Sequence, residues 1–533
     1  MSANLQLQKS YNSVLDLKSA QADNWVVQKF GGTSVGKFPK NIVNDIVKVF
    51  NESNHVAVVC SARSSQTKSE GTTSRLLKAA DLASDNKDYA LILQLIEDDH
   101  VNNAKANVSN QQLQDQLIQD TQHEIERAKE LLRASQIIGE ISPRTLDSIM
   151  SIGEKLSCLF MSCLLNDLGV PAKYIDLSDI IPLNHDFSKG FDDNFYKFLA
   201  QELGRRVAEC SAEGNVVPVL TGYFGVVPGG LLNGVGRGYT DLCAALVAVG
   251  VQAEELQIWK EVDGIFTADP RKVPNARLLD SVTPEEAAEL TYYGSEVIHP
   301  FTMEQVIKAK IPIRIKNVVN PTGRGTIIYP DNVGRRGEET PPHPPAAYET
   351  LSPRYIASHK KRSATAITAK QEIVVVNIHS NKKTLSHGFL AHIFTTLDNF
   401  KLVVDLISTS EVHVSMALQI SDDEEIALKH AISELRKMGT VDVTRNMTIV
   451  SLVGKQMVNF IGIAGNMFKV LADEKINIEM ISQGANEINI SAVINEKDTI
   501  RALQSIHARL LEGYGNDDSS AVDARLQALK VQN

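Results

Sequence analysis

Short, mainly apolar runs alternate with helical patterns along the chain up to about residue 330. The apolar runs lie at Trp25–Phe30, His55–Cys60, Asn215–Leu220, Glu255–Trp259 and Ile311–Ile315. Such runs predict strands covered on both faces, and the helical segments between them predict a parallel sheet. The segment Gln111–Ser135 is polar with a thin apolar stripe at helical spacing, which predicts a solvated pair of helices.

A proline- and glycine-rich stretch interrupts this pattern at residues 331–363. Proline removes backbone donors and resists both helix and sheet, so we predict a linker there. An internal repeat follows. Gly388–Phe394 returns 74 residues later as Gly462–Phe468, and Leu402–Ser408 returns at the same offset as Ile476–Ser482. The two copies are expected to pair, because one copy alone has too few residues for a large core.

These breaks divide the chain into six predicted segments. They are an N-terminal segment (1–24), a large domain (25–330), the linker (331–363), two repeat domains (364–445 and 446–515) and a polar tail (516–533). The predicted fold class is α/β, with a mostly parallel sheet between helices, followed by two smaller α+β domains.

Composition excludes several classes of protein. The 64 acidic and 54 basic residues give a formal net charge of −10, whereas nucleic-acid binding needs clustered Lys and Arg. The five cysteines are scattered without CxxC spacing, which indicates a reducing compartment. No apolar run approaches about 18 residues, and the N-terminus lacks a signal-peptide core. We therefore expect a cytoplasmic protein that binds neither nucleic acid nor membrane.

Two glycine-rich segments nearly match nucleotide-binding motifs. Residues 31–37 fit GxxxxGK, yet Phe38 stands where a P-loop needs the Ser or Thr that binds magnesium. Gly234–Tyr239 resembles GxGxxG, yet Tyr239 replaces the third glycine and no clear strand precedes the segment. We therefore predict neither a P-loop nor a dinucleotide site.

The end of the first predicted strand is a candidate phosphate site. Backbone N–H groups at Gly31 and Gly32 can approach an anion closely. Thr33 and Ser34 begin the next helix, whose N-terminus favours negative charge. Lys29 lies on the strand within reach of the same space, and fixed cations stabilise a phosphoryl group in transfer. An ordinary glycine turn is the alternative for the motif alone.

Three further polar residues are candidates for a ligand site. Ser61 follows the second predicted strand, and Thr73 lies in a Gly-Thr-Thr-Ser segment whose hydroxyls are more commonly helix caps than ligands. Glu154 lies in an otherwise apolar helix, where the alternative is a glutamate on the wet face, paired with Lys155 or solvent. Taken singly, these residues favour the capping and wet-face interpretations.

Two later segments also follow predicted strands. In Gly236–Asp241, Arg237 offers a planar fork for a carboxylate. Asp241 is either a helix cap or an acid that holds the lysine cations in place. In Trp259–Arg271, two turns place Arg271 for a phosphate. The convergence of such segments at the carboxyl ends of strands predicts a phosphoryl-transfer site.

These motifs resemble the aspartate kinase family through most of the chain. The resemblance is carried by Lys29–Gly36, Gly236–Asp241, Val262–Gly264 and Thr267–Arg271. Trp259–Phe266 and Tyr293–Pro300 resemble the fungal branch, and the repeat resembles the family's tandem ACT domains, which sense amino acids. The resemblance implies the amino acid kinase fold followed by two ferredoxin-like βαββαβ ACT domains, in a monofunctional enzyme.

The resemblance implies that ATP phosphorylates the β-carboxylate of L-aspartate to 4-phospho-L-aspartate, the first step of threonine, methionine and isoleucine biosynthesis. Magnesium is expected with ATP, without a protein-bound metal site or a prosthetic group. Lys29 and Asp241 are the implied catalytic residues. The implied ATP and phosphate contacts are Gly31, Gly32, Thr33, Ser34, Lys260, Glu261, Phe266, Arg271 and Glu296, and the implied aspartate contacts are Ser61, Thr73, Glu154 and Arg237. Glu154 would meet the ammonium group of aspartate, and Arg237 its α-carboxylate.

Two departures from the family pattern affect the nucleotide side of the site. This chain has Lys260-Glu261 where many relatives carry Thr-Asp, and Glu296 where many carry Lys. We hypothesise that Lys260 supplies the cation lost at position 296; the alternative is that both residues are peripheral to the nucleotide. His299 precedes a proline and is either a turn residue or a further site residue.

The ACT-like repeat implies feedback inhibition by a bound amino acid, and threonine is the expected effector in the fungal branch. The implied effector contacts are Gly388, Phe389, Leu390, Asp405, Thr409 and Ser410. Asp405 would hold the effector's ammonium group, with a strand-end acid facing water as the alternative. Paired ACT domains usually associate across subunits, so a homo-oligomer is expected.

Two other functions stay open from the sequence. One is another amino acid kinase, acting on glutamate or a nucleotide. The other is an amino-acid sensor with an inactive kinase half, which only the departures at positions 260, 261 and 296 support. Glu154 and Arg237 favour a free amino acid as substrate, and the ACT-like repeat favours aspartate, so aspartate phosphorylation is the predicted function.

Overall fold

The computed structural model divides the chain into two compact units. Unit 1 comprises Met1–Gly264 and Phe301–Val333, and unit 2 comprises Ile265–Pro300 and Gly334–Asn533. The described residues are 24–64, 70–182, 184–188, 190–212, 214–225, 227–231, 238–294, 298–329, 364–380, 388–410, 413–421, 424–484 and 488–512. The predicted linker (331–363) and polar tail (516–533) lie outside the described residues.

Unit 1 lacks Ile265–Pro300, a segment that the sequence analysis placed inside the large domain. The packing of unit 2 explains the difference. Ala268 and Val273 share one hydrophobic core with the second repeat, so burial of their side chains holds the segment there. The hydroxyl of Thr267 also lies 2.8 Å from Nε2 of the fully buried His507.

A mostly parallel sheet forms the centre of unit 1. Its strands are β1 (Trp25–Phe30), β2 (His55–Cys60), β3 (Ala172–Ile175), β4 (Val217–Thr221), β5 (Glu255–Lys260), β7 (Ile313–Asn317) and β8 (Thr326–Ile328), whereas β6 (Ser281–Val282) belongs to unit 2. These strands of unit 1 neighbour one another in the order β3, β4, β2, β1, β5, β7, β8. All pairs are parallel except β7 with β8. The prediction of a parallel sheet is therefore confirmed.

Helices surround this sheet. They are α1 (Gly32–Lys37), α2 (Pro39–Asn41), a π-helix (Ile42–Val47), α3 (Lys48–Asn51), α4 (Thr72–Ser84), α5 (Ala90–Asn107), α6 (Gln111–Ile138), α7 (Pro143–Asp167), α8 (Asp193–Ser211), α9 (Tyr239–Gly250) and α11 (Pro300–Lys308), the last of which begins on the boundary residue Pro300. Strand β2 is buried on both faces, since consecutive residues Val56 to Cys60 are all inaccessible to solvent. Apolar runs without alternation therefore reflect coverage from both sides.

The predicted pair of polar helices is wrong, because α6 is one helix of 28 residues. Its N-cap is Asn110, whose side chain accepts hydrogen bonds from the N–H groups of Gln112 and Leu113, and its C-cap is Gly139, with a left-handed φ of 78°. No breaker interrupts the sequence between these caps. A buried stripe, which includes Leu117 and Leu132, runs the whole length of the helix.

Helix α7 is long and apolar enough to cross a membrane by length and composition, although polar residues interrupt its apolar sequence. Its most apolar window is 83% buried within the protein, which is the pattern of a core helix. Phe160, Met161 and Leu164 pack in one core with residues of β1 and β2. Within the described residues, α7 is the one candidate span.

Unit 2 is built on an antiparallel sheet. Its strands are β9 (Ala366–Ser380), β10 (Leu406–Thr409), β11 (His413–Gln419), β12 (Gly439–Val453), β13 (Ile478–Ser482) and β14 (Asn489–Asn495), in the order β10, β11, β9, β12, β14, β13. The helices are α10 (Pro284–Tyr292), α12 (Phe389–Asn399), α13 (Glu425–Leu435), α14 (Ile463–Asp473), α15 (Thr499–Ile506), two 3₁₀-helices (Lys455–Asn459 and Glu496–Asp498) and a π-helix (His507–Glu512). The strands of both repeats thus form one continuous sheet, and each repeat adds its own helices, as expected for paired ACT-like domains.

The two long strands, β9 and β12, each contain an irregularity of the bulge type. Glu372 in β9 and Asn446 in β12 have left-handed φ values of 62° and 56°, and the β9–β12 register shifts beside Met447. One extra residue reverses which side chains face the helices. Consequently Ile367 packs in the core of the second repeat, whereas Ile373 joins a separate core on the opposite face of the sheet. Strict alternation would have placed both isoleucines on one face.

The two copies of the repeat begin their first helices in the same way. Gly388 and Gly462 occupy the N-cap positions of α12 and α14, and each has a left-handed φ of 88°. Residues other than glycine are sterically disfavoured in this region of the backbone map, because they have a Cβ atom. The sequence match between the copies is therefore also a match of backbone conformation.

We expect Gly388→Ala and Gly462→Ala each to lower the free energy of unfolding by about 1–2 kcal/mol, because both glycines have left-handed backbones with open space around the missing Cβ. Gly465→Ala is the matched control, since Gly465 lies inside α14 with an unhindered Cβ position, and it should stabilise by about 0.5–1 kcal/mol. Urea denaturation measures all three. Equal effects at Gly462 and Gly465 would contradict the prediction.

Candidate active site

The carboxyl ends of four adjacent parallel strands form the candidate site in unit 1. Lys29 lies near the end of β1, Ser61 follows β2, Gly222 follows β4, and Lys260 ends β5. These strands are neighbours in the sheet, so their carboxyl ends lie along one edge. Open α/β sheets bind their ligands at this edge.

The glycine motif after β1 packs directly against the segment after β2. A Cβ at Gly32 would lie 2.0 Å from the carbonyl oxygen of Ala62, so only glycine fits there. The N–H of Ser64 donates to the Gly32 carbonyl at 3.0 Å, and the N–H of Ser61 donates to Phe30 at 3.1 Å. The close approach brings two of the predicted motifs together.

Ser34 links the same motif to the end of β5. Its buried hydroxyl donates to Oε1 of Glu261 at 2.6 Å. The turn that follows Glu261 is held as well, because the side-chain amide of Asn317 donates to Asp263 at 3.0 Å. Three of the sequence-predicted segments therefore meet around Gly31–Ser34.

Lys29 forms an ion pair with Asp241 across the site. Its Nζ lies 2.7 Å from Oδ1 of Asp241, and the two side chains are 12% and 18% exposed. The alternative of Asp241 as a helix cap is wrong, because Gly238 occupies the N-cap position of α9 and no side chain caps it. Asp241 is the third residue of the helix, and its carboxylate faces the lysine instead.

Glu154 is buried in α7 and not on its wet face, so the wet-face alternative is wrong. Glu154 is 2% exposed, and its carboxylate accepts hydrogen bonds from the Tyr223 N–H and the Thr240 hydroxyl, both at 2.6 Å. The neighbouring Lys155 is also buried and pairs with Asp176 at 2.6 Å, and not with Glu154. A buried carboxylate surrounded by donors is suited to hold a cation.

The environment of Glu154 changes its acidity. Burial raises the pKa of its carboxyl group from the ordinary 4.5 to about 7, and hydrogen bonds from Thr240 and Tyr223 and the charge of Lys29 oppose this rise. The carboxyl group therefore titrates near neutral pH. Perturbed groups of this kind concentrate at functional sites.

The first turn of α9 connects the two halves of the site. Thr240 bonds to Glu154, and the next residue, Asp241, pairs with Lys29. One helix terminus thus sets the separation between a buried carboxylate and a cation on the central strand. Thr240 belonged to a recognised motif, but nothing in the sequence indicated this role.

Asp147 is a further buried acid that the sequence analysis missed. It lies seven residues before Glu154 on α7, which places both acids on one face of the helix, two turns apart. Its carboxylate accepts from the N–H of Leu231, just before residues 232–237. Two acids at this spacing in an apolar helix were the available signal. Asp147 and Glu154 thus contact residues on either side of Arg237 in the sequence, Leu231 before it and Thr240 after it.

The other predicted substrate residues are placed as follows. Ser61 is partly exposed after β2, and Thr73 is exposed in the first turn of α4. The capping interpretation of the Thr73 segment is wrong, because Gly71 occupies the N-cap position without a side-chain hydrogen bond. Arg237 and Glu296 lie outside the described residues.

Three of the predicted site residues that the structure describes lie in the Ile265–Pro300 segment of unit 2. Phe266 forms an isolated bridge with Leu278, and Arg271 pairs with Asp269 at 2.9 Å while its side chain stays 87% exposed. His299 is exposed directly before α11. The predicted nucleotide contacts of Phe266 and Arg271, and the possible site role of His299, therefore remain predictions.

The predicted effector residues lie around the first repeat of unit 2. Gly388 is the N-cap of α12. Phe389 is the first residue of that helix, and Leu390, the second, is exposed. Thr409 ends β10, and the Ser410 N–H donates to the His413 carbonyl at 2.8 Å.

Asp405 is engaged by this protein's own donors. Its carboxylate pairs with Lys370 and accepts from the Gln419 N–H at 2.8 Å. The Asp405 side chain is 14% exposed, so the alternative of an acid facing open water is wrong. Any effector ammonium at this carboxylate would have to share it with Lys370.

Comparisons with known proteins show which family the chain resembles. The amino acid kinase family profile matches residues 24–317, and an ACT domain profile matches residues 450–510. The chain is 75% identical to the aspartokinase of Candida albicans over 98% of both chains, and 65% identical to that of Saccharomyces cerevisiae over 95% of this chain and 97% of the relative.

Solved structures of aspartokinases have a similar fold. Escherichia coli aspartokinase III in complex with aspartate and ADP superposes with a TM-score of 0.68 at 25% identity, covering 92% of this chain and all of that chain. The same enzyme in complex with lysine and aspartate gives a TM-score of 0.70, covering 91% of this chain and 99% of that chain. Since these matches extend through the kinase profile and the ACT repeat alike, the chain belongs to the aspartokinase family.

Proposed function

We propose that this chain transfers the γ-phosphoryl group of ATP to the β-carboxylate of L-aspartate, forming 4-phospho-L-aspartate. The observation that carries the proposal is the pairing, through Thr240 and Asp241 of α9, of a buried carboxylate at Glu154 with a cation at Lys29. A free amino acid needs an anion for its ammonium group, and the phosphoryl group needs a cation. The nucleotide and aspartate in the Escherichia coli complex support both ligands.

The residues of this chain act by positioning and by charge. Glu154 receives the ammonium group of aspartate, and Arg237 receives its α-carboxylate, which leaves the β-carboxylate free to attack. Lys29 stabilises the negative charge that spreads over the transferring phosphoryl oxygens. The aspartate β-carboxylate is ionised at neutral pH, so no general base is required. Ser61 and Thr73 complete the aspartate subsite.

The nucleotide side uses the glycine motif and the turn after β5. Gly31–Ser34 supply backbone N–H groups to the phosphates, and Ser34 fixes Glu261 beside them. Lys260, Phe266 and Arg271 are proposed as further nucleotide contacts. Magnesium bound to ATP would neutralise part of the phosphate charge. Asp241 lies across the site, and its carboxylate is already paired with Lys29.

Trapping the acyl phosphate tests the proposal. The full chain is incubated with ATP, magnesium and hydroxylamine, with aspartate or glutamate as acceptor, and the acyl hydroxamate is measured. We expect hydroxamate with aspartate only. Product with glutamate alone would favour another amino acid kinase, and no product with either acceptor would favour a sensor with an inactive kinase half.

Lys260 provides a test of the departure from the family pattern. We expect Lys260→Ala to lower ATP turnover about tenfold by removing a phosphate-side cation, and Glu296→Lys in that background to restore part of it. Lys272→Ala is the matched control, since Lys272 bonds to Gln371 within unit 2. Near-normal turnover in Lys260→Ala would show that residue 260 is peripheral to the nucleotide.

The same proposal includes feedback inhibition, with threonine as the effector, in threonine, methionine and isoleucine biosynthesis. The carboxylate of Asp405, shared with Lys370, is the proposed ammonium site in the first repeat, and Glu479 holds the corresponding position in the second. Lysine in the second Escherichia coli complex supports regulation by an amino acid.

We expect Asp405→Asn to raise the threonine concentration for half-inhibition by about tenfold without changing uninhibited kcat, because a charge-assisted contact is lost. Glu479→Gln is the matched variant in the second repeat. Inhibition curves with threonine and with lysine measure both. If only Glu479→Gln weakens inhibition, the second repeat holds the effector and the first does not.

Two further parts of the proposal concern the state of the protein in the cell. All five cysteines are free, which supports a reducing, cytoplasmic location. We also propose a homo-oligomer through the ACT repeats. Light scattering on the purified full chain measures the oligomeric state, and a monomer at micromolar concentration would contradict it.

A further inference from the structure

Two histidines lie side by side at one end of the unit 2 sheet. His379 on β9 and His413 on β11 are direct partners in the antiparallel ladder. Their Nδ1 atoms are 3.1 Å apart, and their ring centroids are 4.1 Å apart. Both side chains are exposed, and neither belongs to the candidate active site or to the predicted effector contacts.

Alternation along the strands places both rings on one face. His379 has the same parity as Ile373 and Val375 beyond the bulge, and these face away from α12 and α13. His413 precedes Val414, which packs toward those helices, so His413 also faces away from them. The two imidazoles therefore share a solvent-facing end of the sheet.

The backbone holds the pair in place before any ligand arrives. The ladder fixes both Cα positions, and the His413 residue closes the β10–β11 turn through two hydrogen bonds with Ser410, at 2.8 and 3.3 Å. Preorganisation of this kind reduces the entropy lost when two groups bind one ligand.

From this geometry we propose that His379 and His413 chelate one divalent transition-metal ion. The proposed ion is zinc, with water at its remaining coordination positions. Zinc–imidazole bonds are about 2.0–2.1 Å long. Two nitrogens on one such ion, at angles between a right angle and the tetrahedral value, are therefore about 2.9–3.4 Å apart. The observed 3.1 Å falls within this range. Imidazole is a preferred ligand for zinc, copper and nickel.

The alternative is a direct N–H···N hydrogen bond between the rings, with no metal. An exposed hydrogen bond between neutral groups contributes little, because water competes for both partners. Among the described residues no cluster of three or more His, Cys, Asp or Glu is present, so a bound ion here would be open and exchangeable, not structural.

Calorimetric titration of the metal-free full chain with zinc chloride tests the proposal. We expect one site in the micromolar range. His379→Asn and His413→Asn should each weaken zinc binding at least about tenfold, and the double variant should be no worse than either single one, because either change removes the chelate. His430→Asn is the matched control, since His430 is exposed on α13 beside Phe400, and it should leave binding unchanged.

Copper provides an independent readout. Electron paramagnetic resonance of one equivalent of Cu²⁺ should show hyperfine coupling to two imidazole nitrogens in the parent chain and to one in each single variant. Kinase activity without added metal should stay unchanged in all variants, which confirms folding. The proposal is wrong if the parent chain has no zinc site, or if its zinc affinity is unchanged by both histidine substitutions.

Discussion

Replacing Lys29 with methionine is expected to lower kcat for aspartate phosphorylation by about 10³-fold, with little change in the KM for aspartate. Lys29 is the cation on the central strand, and Asp241 holds it at 2.7 Å beside the glycine motif. Its charge matters most when negative charge spreads over the transferring phosphoryl group. Loss of such a contact appears in kcat and not in ground-state binding of aspartate.

Lys37→Met is the matched control, and it separates two kinds of phosphate site. Lys37 is the lysine that a P-loop would require, and it is exposed in the last turn of α1. We expect Lys37→Met to retain near-normal kcat. A large loss with Lys37→Met and a small one with Lys29→Met would support a P-loop and overturn the proposed site.

Asp241→Asn is the companion variant. It removes the carboxylate that fixes Lys29 but leaves the cation in place, so we expect a loss of about tenfold in kcat. In Lys29→Met the same change should have little further effect, because the pair acts as a unit. Full additivity of the two substitutions would show that Asp241 acts independently of Lys29.

Glu154→Gln is expected to raise the KM for aspartate about 10²-fold and to remove most of its pH dependence. In the parent enzyme the ionised form of Glu154 binds the ammonium group of aspartate. With a pKa of about 7 the carboxyl group becomes protonated as the pH falls, so KM should rise about tenfold per pH unit well below pH 7. Initial rates between pH 5.5 and pH 8.5 measure the profile.

Thr240→Val sharpens this test, because it removes a hydrogen bond that favours the ionised carboxylate. The pKa of Glu154 should rise further, so the increase in KM should begin at a higher pH than in the parent enzyme. If Glu154→Gln keeps the parent KM with the parent pH profile, Glu154 is not the partner of the substrate ammonium group.

In the parent chain, the free energy of unfolding should fall as the pH rises through about 7, whereas binding of aspartate should improve. The folded pKa of Glu154 is raised above its ordinary 4.5 to about 7, so the folded state binds the proton more tightly than the unfolded state. The stability that this proton contributes is complete below about pH 4.5 and lost as the pH rises through about 7, a difference of about 3 kcal/mol. Glu154→Gln should therefore be the more stable chain at pH 8, with the gap closing at pH 5.

Urea denaturation at the two pH values measures this difference. Lower stability of Glu154→Gln at pH 8 would show that the hydrogen bonds to Tyr223 and Thr240 outweigh the cost of burying the charge. A variant that is both more stable and poorer at binding aspartate would indicate that the enzyme keeps an unfavourable buried charge for its substrate.

The predictions that succeeded depended on neighbouring residues. Strands β1 and β2 have the predicted ends, because an apolar run that is buried on both faces is continuous in the sequence. The repeat is likewise local, and its glycines at positions 388 and 462 have the same left-handed conformation. Local spacing and composition carry this information directly.

The alternatives that the structure excluded concerned residues whose partners lie far apart in the sequence. A solvated position beside Lys155 was the alternative for Glu154, but Tyr223 and Thr240, 69 and 86 residues away, provide its donors. A helix cap was the alternative for Asp241, but Lys29 on β1, which is distant in the sequence, pairs with its carboxylate. Each of these contacts depends on how strands are ordered in the sheet, which helical or strand periodicity does not specify.

The sequence by itself determined the family, the parallel sheet, the glycine motif after β1, and the repeat. The tertiary structure alone decided which carboxylate is buried, which cation it faces, and that Ile265–Pro300 packs with unit 2. The physical reason is range. Backbone conformation and apolar period are set by residues a few positions apart, whereas desolvation and charge pairing depend on every group that packing brings within a few ångströms.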